Sequence, residues 1–171
     1  MKNIALTGYM ASGKTTVGSI LSKRLGYKFL DTDYMIEEKC GKTINEIFEK
    51  HGEAYFRDIE KQVIEKCSAY ESCIISCGGG VVLNKKNIEN LKKSSLIFNL
   101  NPTEEIIKER LSSAAATRPL LNENDINGAL ERFRERIPYY NFCDFKIDVV
   151  HGESPDDLAD EIIEIYRRNE Q

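Results

Sequence analysis

Apolar residues run unbroken through Ile4-Ala5-Leu6, which reads as a strand buried on both faces over residues 2–7. From Lys14 the period changes: Val17, Ile20, Leu21 and Leu25 share one stripe, so a helix spans 14–25, with Gly26 at its C′ position. Residues 27–30 read as a short second strand running into Asp31-Thr32-Asp33. A short helix opens at Asp33 and stops at Gly41. Thr43-Ile44-Asn45-Glu46 is a capping box that starts a helix to about Lys50, and Gly52 breaks it. A longer helix follows over 53–69, turning Phe56, Ile59, Val63 and Cys67 inward. A third apolar strand over 72–77 ends in Gly78-Gly79-Gly80. A polar helix near 86–92 precedes a fourth strand at 96–100, and Asn101-Pro102-Thr103 caps a helix through about Leu111. Residues 112–124 are rich in Ser, Ala and Asn with little apolar period, and read as a mobile loop. Helix resumes near Ile126, passes Arg136 and ends or kinks at Pro138. A fifth strand covers 145–149, and Ser154-Pro155-Asp156-Asp157 starts a final helix to about Arg168.

Short strands alternating with helices predict an α/β doubly wound parallel sheet with helices on both faces, and 171 residues suit a single domain. In such sheets ligands bind beyond the carboxyl ends of the strands. A net charge of −4 argues against bulk attraction to nucleic acid or an anionic membrane. No apolar run approaches the ~20 residues of a membrane span, and the early first strand argues against a signal peptide. Five cysteines, an odd number at no metal-ligand spacing, read as buried reduced thiols in a cytoplasmic protein.

The stretch Gly8-Tyr9-Met10-Ala11-Ser12-Gly13-Lys14-Thr15 matches the phosphate-binding loop, Gly, four residues, then Gly-Lys-Ser/Thr, between a strand and a helix. Backbone N–H groups and the helix dipole capture anions, Lys14 brings a full charge to the phosphates, and the Thr15 hydroxyl is a ligand for Mg²⁺. Asp31 and Asp33 suit a metal-side carboxylate and an acceptor for a hydroxyl proton; Asp-x-Asp before a helix is also ordinary N-capping. Arg57 and Glu60 form an i,i+3 pair, which is either a surface ion pair or a planar carboxylate receptor held in place. The triple glycine brings backbone N–H donors close to a ligand, or gives a sharp exit from the strand. Arg118, in the loop, is placed to swing onto phosphates or to remain solvated; His51 and His151 sit beside no nucleophile pattern.

Taken in order, Gly8–Thr15, Asp31-Thr32-Asp33, Phe56-Arg57 with Glu60, Gly78–Gly80, Arg118-Pro119-Leu120-Leu121 and Arg136 before Tyr139-Tyr140 resemble the shikimate kinase family over nearly the whole chain. The resemblance implies a P-loop, nucleoside-monophosphate-kinase-like three-layer fold, with a five-stranded parallel sheet in the order 2-3-1-4-5. It implies one kinase domain over 1–171, with a core at 1–31, 62–111 and 125–171. A shikimate-binding region would occupy about 32–61 and a lid about 112–124. It implies transfer of the ATP γ-phosphoryl group to the 3-hydroxyl of shikimate, in aromatic amino acid biosynthesis, with Mg²⁺ as cofactor. Lys14, Asp33 and Arg118 would be catalytic. Asp33, Arg57, Gly79, Gly80 and Arg136 would bind shikimate. Ala11, Ser12, Gly13, Lys14, Thr15, Thr16, Arg110, Arg118 and Pro155 would bind ATP, with Arg110 and Pro155 near adenine, and Thr15 and Asp31 would serve the metal. The expected partners are the small molecules ATP and shikimate, with no nucleic acid and no membrane, on a monomer. The family usually carries Gly where this chain has Ala11, so the backbone there is expected to avoid a glycine-only conformation. The spacing from Arg110 to Arg118 is about one residue longer than usual in the family. Alternatives are another small-molecule kinase of the same fold, acting on gluconate or a nucleoside monophosphate, and a nucleotide-binding regulatory protein without catalysis.

Overall fold

The apolar run at the N-terminus becomes the centre of the sheet. In the computed structural model, which describes residues 2–117 and 123–169, strand β1 (Asn3–Thr7) is buried at every position. It pairs in parallel with β3 (Cys73–Ser76) on one side and β4 (Ser95–Pro102) on the other, Ile4 facing Ile74 and Leu96. β2 (Lys28–Asp31) and β5 (Phe145–Val149) complete the sheet at its edges, giving the order β2-β3-β1-β4-β5 expected above.

Alternation along β1 divides the core. Ile4 and Leu6 pack with Val17 and Leu21 of α1 (Lys14–Leu25) and with Leu158, Ile162 and Tyr166 of α7 (Pro155–Asn169). Ala5 points to the opposite face, which is covered from α2 (Thr32–Cys40), α3 (Ile44–Ser68), α4 (Lys85–Ser94), α5 (Glu104–Thr117) and α6 (Glu123–Arg136). Two 3₁₀ turns, Val81–Leu83 and Ile137–Phe142, carry the chain out of β3 and α6. The second begins at the expected Pro138 boundary.

Local signals mostly act as expected. Gly26 caps α1 in the left-handed region with φ 68°. Thr43 and Glu46 form a reciprocal capping box, and Gly52, at φ 78° and ψ 175°, breaks α3 internally. The reading of 112–124 as loop needs correction: α5 runs on to Thr117 and α6 begins at Glu123. Ala114-Ala115-Ala116 lacks an apolar stripe but has the highest intrinsic helix propensity, and this carries the helix past Leu111. Arg118 and the Pro119-Leu120-Leu121 that follows lie outside the described residues. No helix among the described residues is long and apolar enough to cross a membrane. All five cysteines are free; Cys67, Cys73 and Cys77 are buried, and Cys40 and Cys143 partly so.

Candidate active site

The loop between β1 and α1 closes on itself through Lys14. Its Nζ donates to Gly8 O at 2.8 Å, Tyr9 O at 2.9 Å and Ser12 Oγ at 3.2 Å. Burial lowers the Lys14 ammonium from 10.5 to about 8, opposed by the nearby Asp33 and Asp31 carboxylates. Gly8 takes φ 145°, and a Cβ there would come within 2.7 Å of Leu100 O. Ala11 adopts φ 60°. This is the left-handed well, which an L-residue enters at roughly 1–2 kcal/mol, so the alanine carries strain that a glycine would not. Arg110 Nη1 donates to Ala11 O at 2.7 Å. A cavity of about 340 Å³ opens beside the loop, lined by Ala11, Ser12, Gly13, Thr16, Arg110 and Pro155 among others.

At the end of β2, Asp31 does two things at once. One carboxylate oxygen accepts from Asp33 N at 3.0 Å and Tyr34 N at 3.2 Å, capping α2. The other accepts from Thr15 Oγ1 at 3.2 Å. The capping and chemical readings of Asp31 are therefore compatible. A hydroxyl and a carboxylate oxygen this close suit Mg²⁺, which takes few protein ligands beside phosphate oxygens and water. No cluster of three His, Cys, Asp or Glu that could hold a metal on its own occurs among the described residues. Asp33 is raised from the usual carboxylate value, by burial first and then by Asp31, while Lys14 and Arg57 oppose the rise. A cavity of about 200 Å³ brings Lys14, Thr15, Asp31 and Asp33 together with Ser76 and Cys77.

A third cavity of about 220 Å³ shares Met10, Asp33 and Gly79 with the 200 Å³ one, and is closed by Phe48, Phe56, Arg57, Glu60, Gly78, Gly80 and Arg136 among others. The glycines make room for side chains. A Cβ on Gly78 would lie 2.5 Å from Asp33 Oδ1, and one on Gly80 would collide with Arg57 Nη1. Arg57 Nη1 donates to Glu60 Oε1 at 2.8 Å, and Glu60 is only 1% exposed. Burial raises Glu60, and Arg57 opposes the rise. The Arg57–Glu60 pair is thus largely buried, and the surface-pair reading of the sequence falls. Arg136 lies over the Tyr9 ring at 5.7 Å.

Every expected site residue within the described chain falls in these three connected cavities; Arg118 lies outside it. Met10, Phe48, Ser76 and Cys77 were not anticipated. Ser76 and Cys77 had a legible signal, because Ser76 ends β3 and Cys77 follows it, where ligands gather in α/β sheets. A larger cavity of about 440 Å³, between Val82, Ile88, Tyr139 and Phe142, has apolar walls and exposed polar groups, away from the phosphate loop.

A phosphate loop, a hydroxyl–carboxylate pair beside it and a partly buried acid facing an acceptor cavity define a P-loop enzyme that transfers a phosphoryl group from a nucleotide to a small acceptor. The family model described as shikimate kinase matches residues 10–167. A shikimate kinase of Thermodesulfovibrio yellowstonii is 44% identical over 98% of this chain and 96% of its own. One from Caldanaerobacter subterraneus subsp. tengcongensis is 43% identical over 97% of this chain and 96% of its own. The solved structure of shikimate kinase from Acinetobacter baumannii in complex with shikimate superposes with a TM-score of 0.87 at 34% identity, covering 99% of this chain and 94% of that one. This chain belongs to the shikimate kinase family.

Proposed function

We propose that the chain transfers the γ-phosphoryl group of ATP to the 3-hydroxyl of shikimate, giving shikimate 3-phosphate and ADP for aromatic amino acid biosynthesis. The observation that carries this reading is the 220 Å³ cavity, which sets two arginines, Arg57 and Arg136, with Asp33 against the glycine backbone beside the phosphate loop. A cyclic acid with ring hydroxyls suits this set: the guanidinium groups take the carboxylate and Asp33 takes the hydroxyls.

Lys14 leaves its loop carbonyls for the phosphates, whose charge favours its protonated form. The loop amides from Ala11 to Thr16 cradle the phosphates, and Arg110 and Pro155 flank the adenine. Asp33 holds the 3-hydroxyl in line and, made more basic by burial, takes its proton as the oxygen bonds the γ-phosphorus and the bond to the β-phosphate bridging oxygen breaks. When bound, Mg²⁺ supplies charge stabilisation at the phosphate oxygens; Thr15 would hold it directly, and Asp31 directly or through water. Arg118 adds a further cation on the phosphates in this reading. The enzyme acts in the cytoplasm, a reading that the five free cysteines support through the reducing compartment they imply, and as a monomer.

ADP release measured with shikimate, gluconate, AMP and no acceptor tests the assignment. Turnover with shikimate and not with the others is expected; shikimate-independent turnover, or none, would overturn it.

A further inference from the structure

The three carbonyls of the glycine segment that shapes the acceptor cavity all accept hydrogen bonds, and one donor comes from far along the chain. Gly78 N donates to Thr32 Oγ1 at 2.9 Å. Gly78 O accepts from Val81 N and Gly80 O from Leu83 N, both at 3.1 Å, as the first 3₁₀ turn forms. That leaves Gly79 O, which accepts from the phenol of Tyr140 at 2.8 Å. Tyr140 is buried, in the second 3₁₀ turn, four residues after Arg136. Burial raises its phenol above the ordinary value, so it is a neutral donor at working pH. On its other side Gly79 lies against the phosphate loop: a Cβ there would be 3.4 Å from Met10 N and 3.6 Å from Gly8 O. The segment is pinned between the phosphate loop and Tyr140, while its two outer glycines are fitted to Asp33 and Arg57.

We propose that Tyr140 is a positioning residue for the acceptor: its hydroxyl fixes the Gly78–Gly80 backbone, and with it the placement of the shikimate-binding surface relative to Arg136. The proposal rests on the shikimate reading of this cavity. Tyr140 lines neither the acceptor cavity nor the nucleotide cavity itself; it acts on the acceptor through Gly79, whose neighbours Gly78 and Gly80 are fitted to Asp33 and Arg57, and through Arg136, which its phenol also meets. Without the hydroxyl, the partly buried Gly79 O loses its donor, and the segment shifts to find one.

The test is Tyr140→Phe, which keeps the ring and its packing, beside Tyr139→Phe, whose ring is 43% exposed on the same turn. Tyr140→Phe should raise the shikimate KM and the shikimate Kd without ATP by roughly tenfold. The ATP KM should stay within about twofold, and Tyr139→Phe should match the parent enzyme. A merely structural tyrosine would raise both KM values or lower kcat alone, and that outcome overturns the proposal. So does an unchanged shikimate KM. If Tyr140→Phe does not fold, the parent enzyme decides: a slowly exchanging phenol proton of Tyr140 in ¹H NMR that shifts when shikimate is added supports the proposal, and a freely exchanging or unresponsive one overturns it. Parent-enzyme turnover with shikimate in the same assay separates failure of this proposal from failure of the substrate reading.

Discussion

Lys14 sits in the ligand-free loop at a disadvantage. Its folded value of about 8 lies below the 10.5 of an ordinary lysine, so between these values the unfolded chain holds the proton and the folded one does not. Stability of the ligand-free protein from this group therefore rises with pH across that window, and charged Lys14 destabilises the fold below it. In the proposed role ATP would reverse the preference, because its phosphates would favour the ammonium. The kcat/KM for ATP should fall as pH rises through about 8, while kcat, which reports the ATP-bound form, stays level to higher pH. Parallel pH profiles check this; coincident basic limbs would contradict it. Asp33 is raised, so kcat/KM for shikimate should lose its acid limb at a higher pH than an ordinary carboxylate gives. Substitution separates the two substrates. Lys14→Met should nearly abolish turnover with the fold intact, the relief of a buried charge offsetting the lost hydrogen bonds of the loop. Arg57→Ala should raise the shikimate KM by roughly tenfold or more and leave that of ATP nearly unchanged. It also strips the buried Glu60 of its partner, so Arg57→Ala combined with Glu60→Gln should recover stability without recovering shikimate affinity. Equal effects on both KM values would remove Arg57 from the acceptor site.

Gly52 shows how a single break sets an element. At φ 78° and ψ 175° it occupies a region essentially closed to other residues, although a Cβ there would meet nothing within 4 Å. Gly52→Ala should therefore destabilise by backbone strain alone, by about 1–3 kcal/mol. It should also weaken shikimate binding more than ATP binding, because Phe48, before the break, and Phe56, after it, both wall the acceptor cavity. Urea titration and the two KM values read these effects; a neutral substitution would mean that α3 straightens without consequence. This break was legible because Gly interrupts an otherwise continuous helical stripe. Elements with a stripe, a cap or a glycine stop were readable for the same reason: α1, the capping box at Thr43 and the strands. The extension of α5 through Ala114–Ala116 was not, since propensity without an apolar face leaves no periodic trace. Among the residues of the proposed site, the grouping of Lys14, Thr15 and Asp31 was legible from local spacing. The 61-residue link from Tyr140 to Gly79 was not, because no local pattern encodes which distant hydroxyl satisfies a given carbonyl.

The two halves of the chemistry lean on opposite faces of one sheet. The nucleotide cavity takes Val17 from α1 and Pro155 and Leu158 from α7, on the face where Ile4, Leu21 and Ile162 pack. The acceptor cavity takes Phe48, Phe56 and Arg57 from α3, on the face of Ala5, Ile64 and Leu91. β1, β3 and β4 contribute to both cores, so neither face is a separate domain. The expected consequence is one cooperative unfolding transition. Ile162→Ala and Ile64→Ala remove fully buried side chains from opposite faces, and each should cost about 2–5 kcal/mol. Each should shift the urea midpoint without splitting the curve, whether followed by far-UV circular dichroism or by tyrosine signals. Neither residue lines a cavity of the site, so the KM values for ATP and shikimate should survive at temperatures where the variants remain folded. A biphasic curve in either variant, with the nucleotide side melting apart from the acceptor side, would show that the sheet does not bind the two faces into one folding unit.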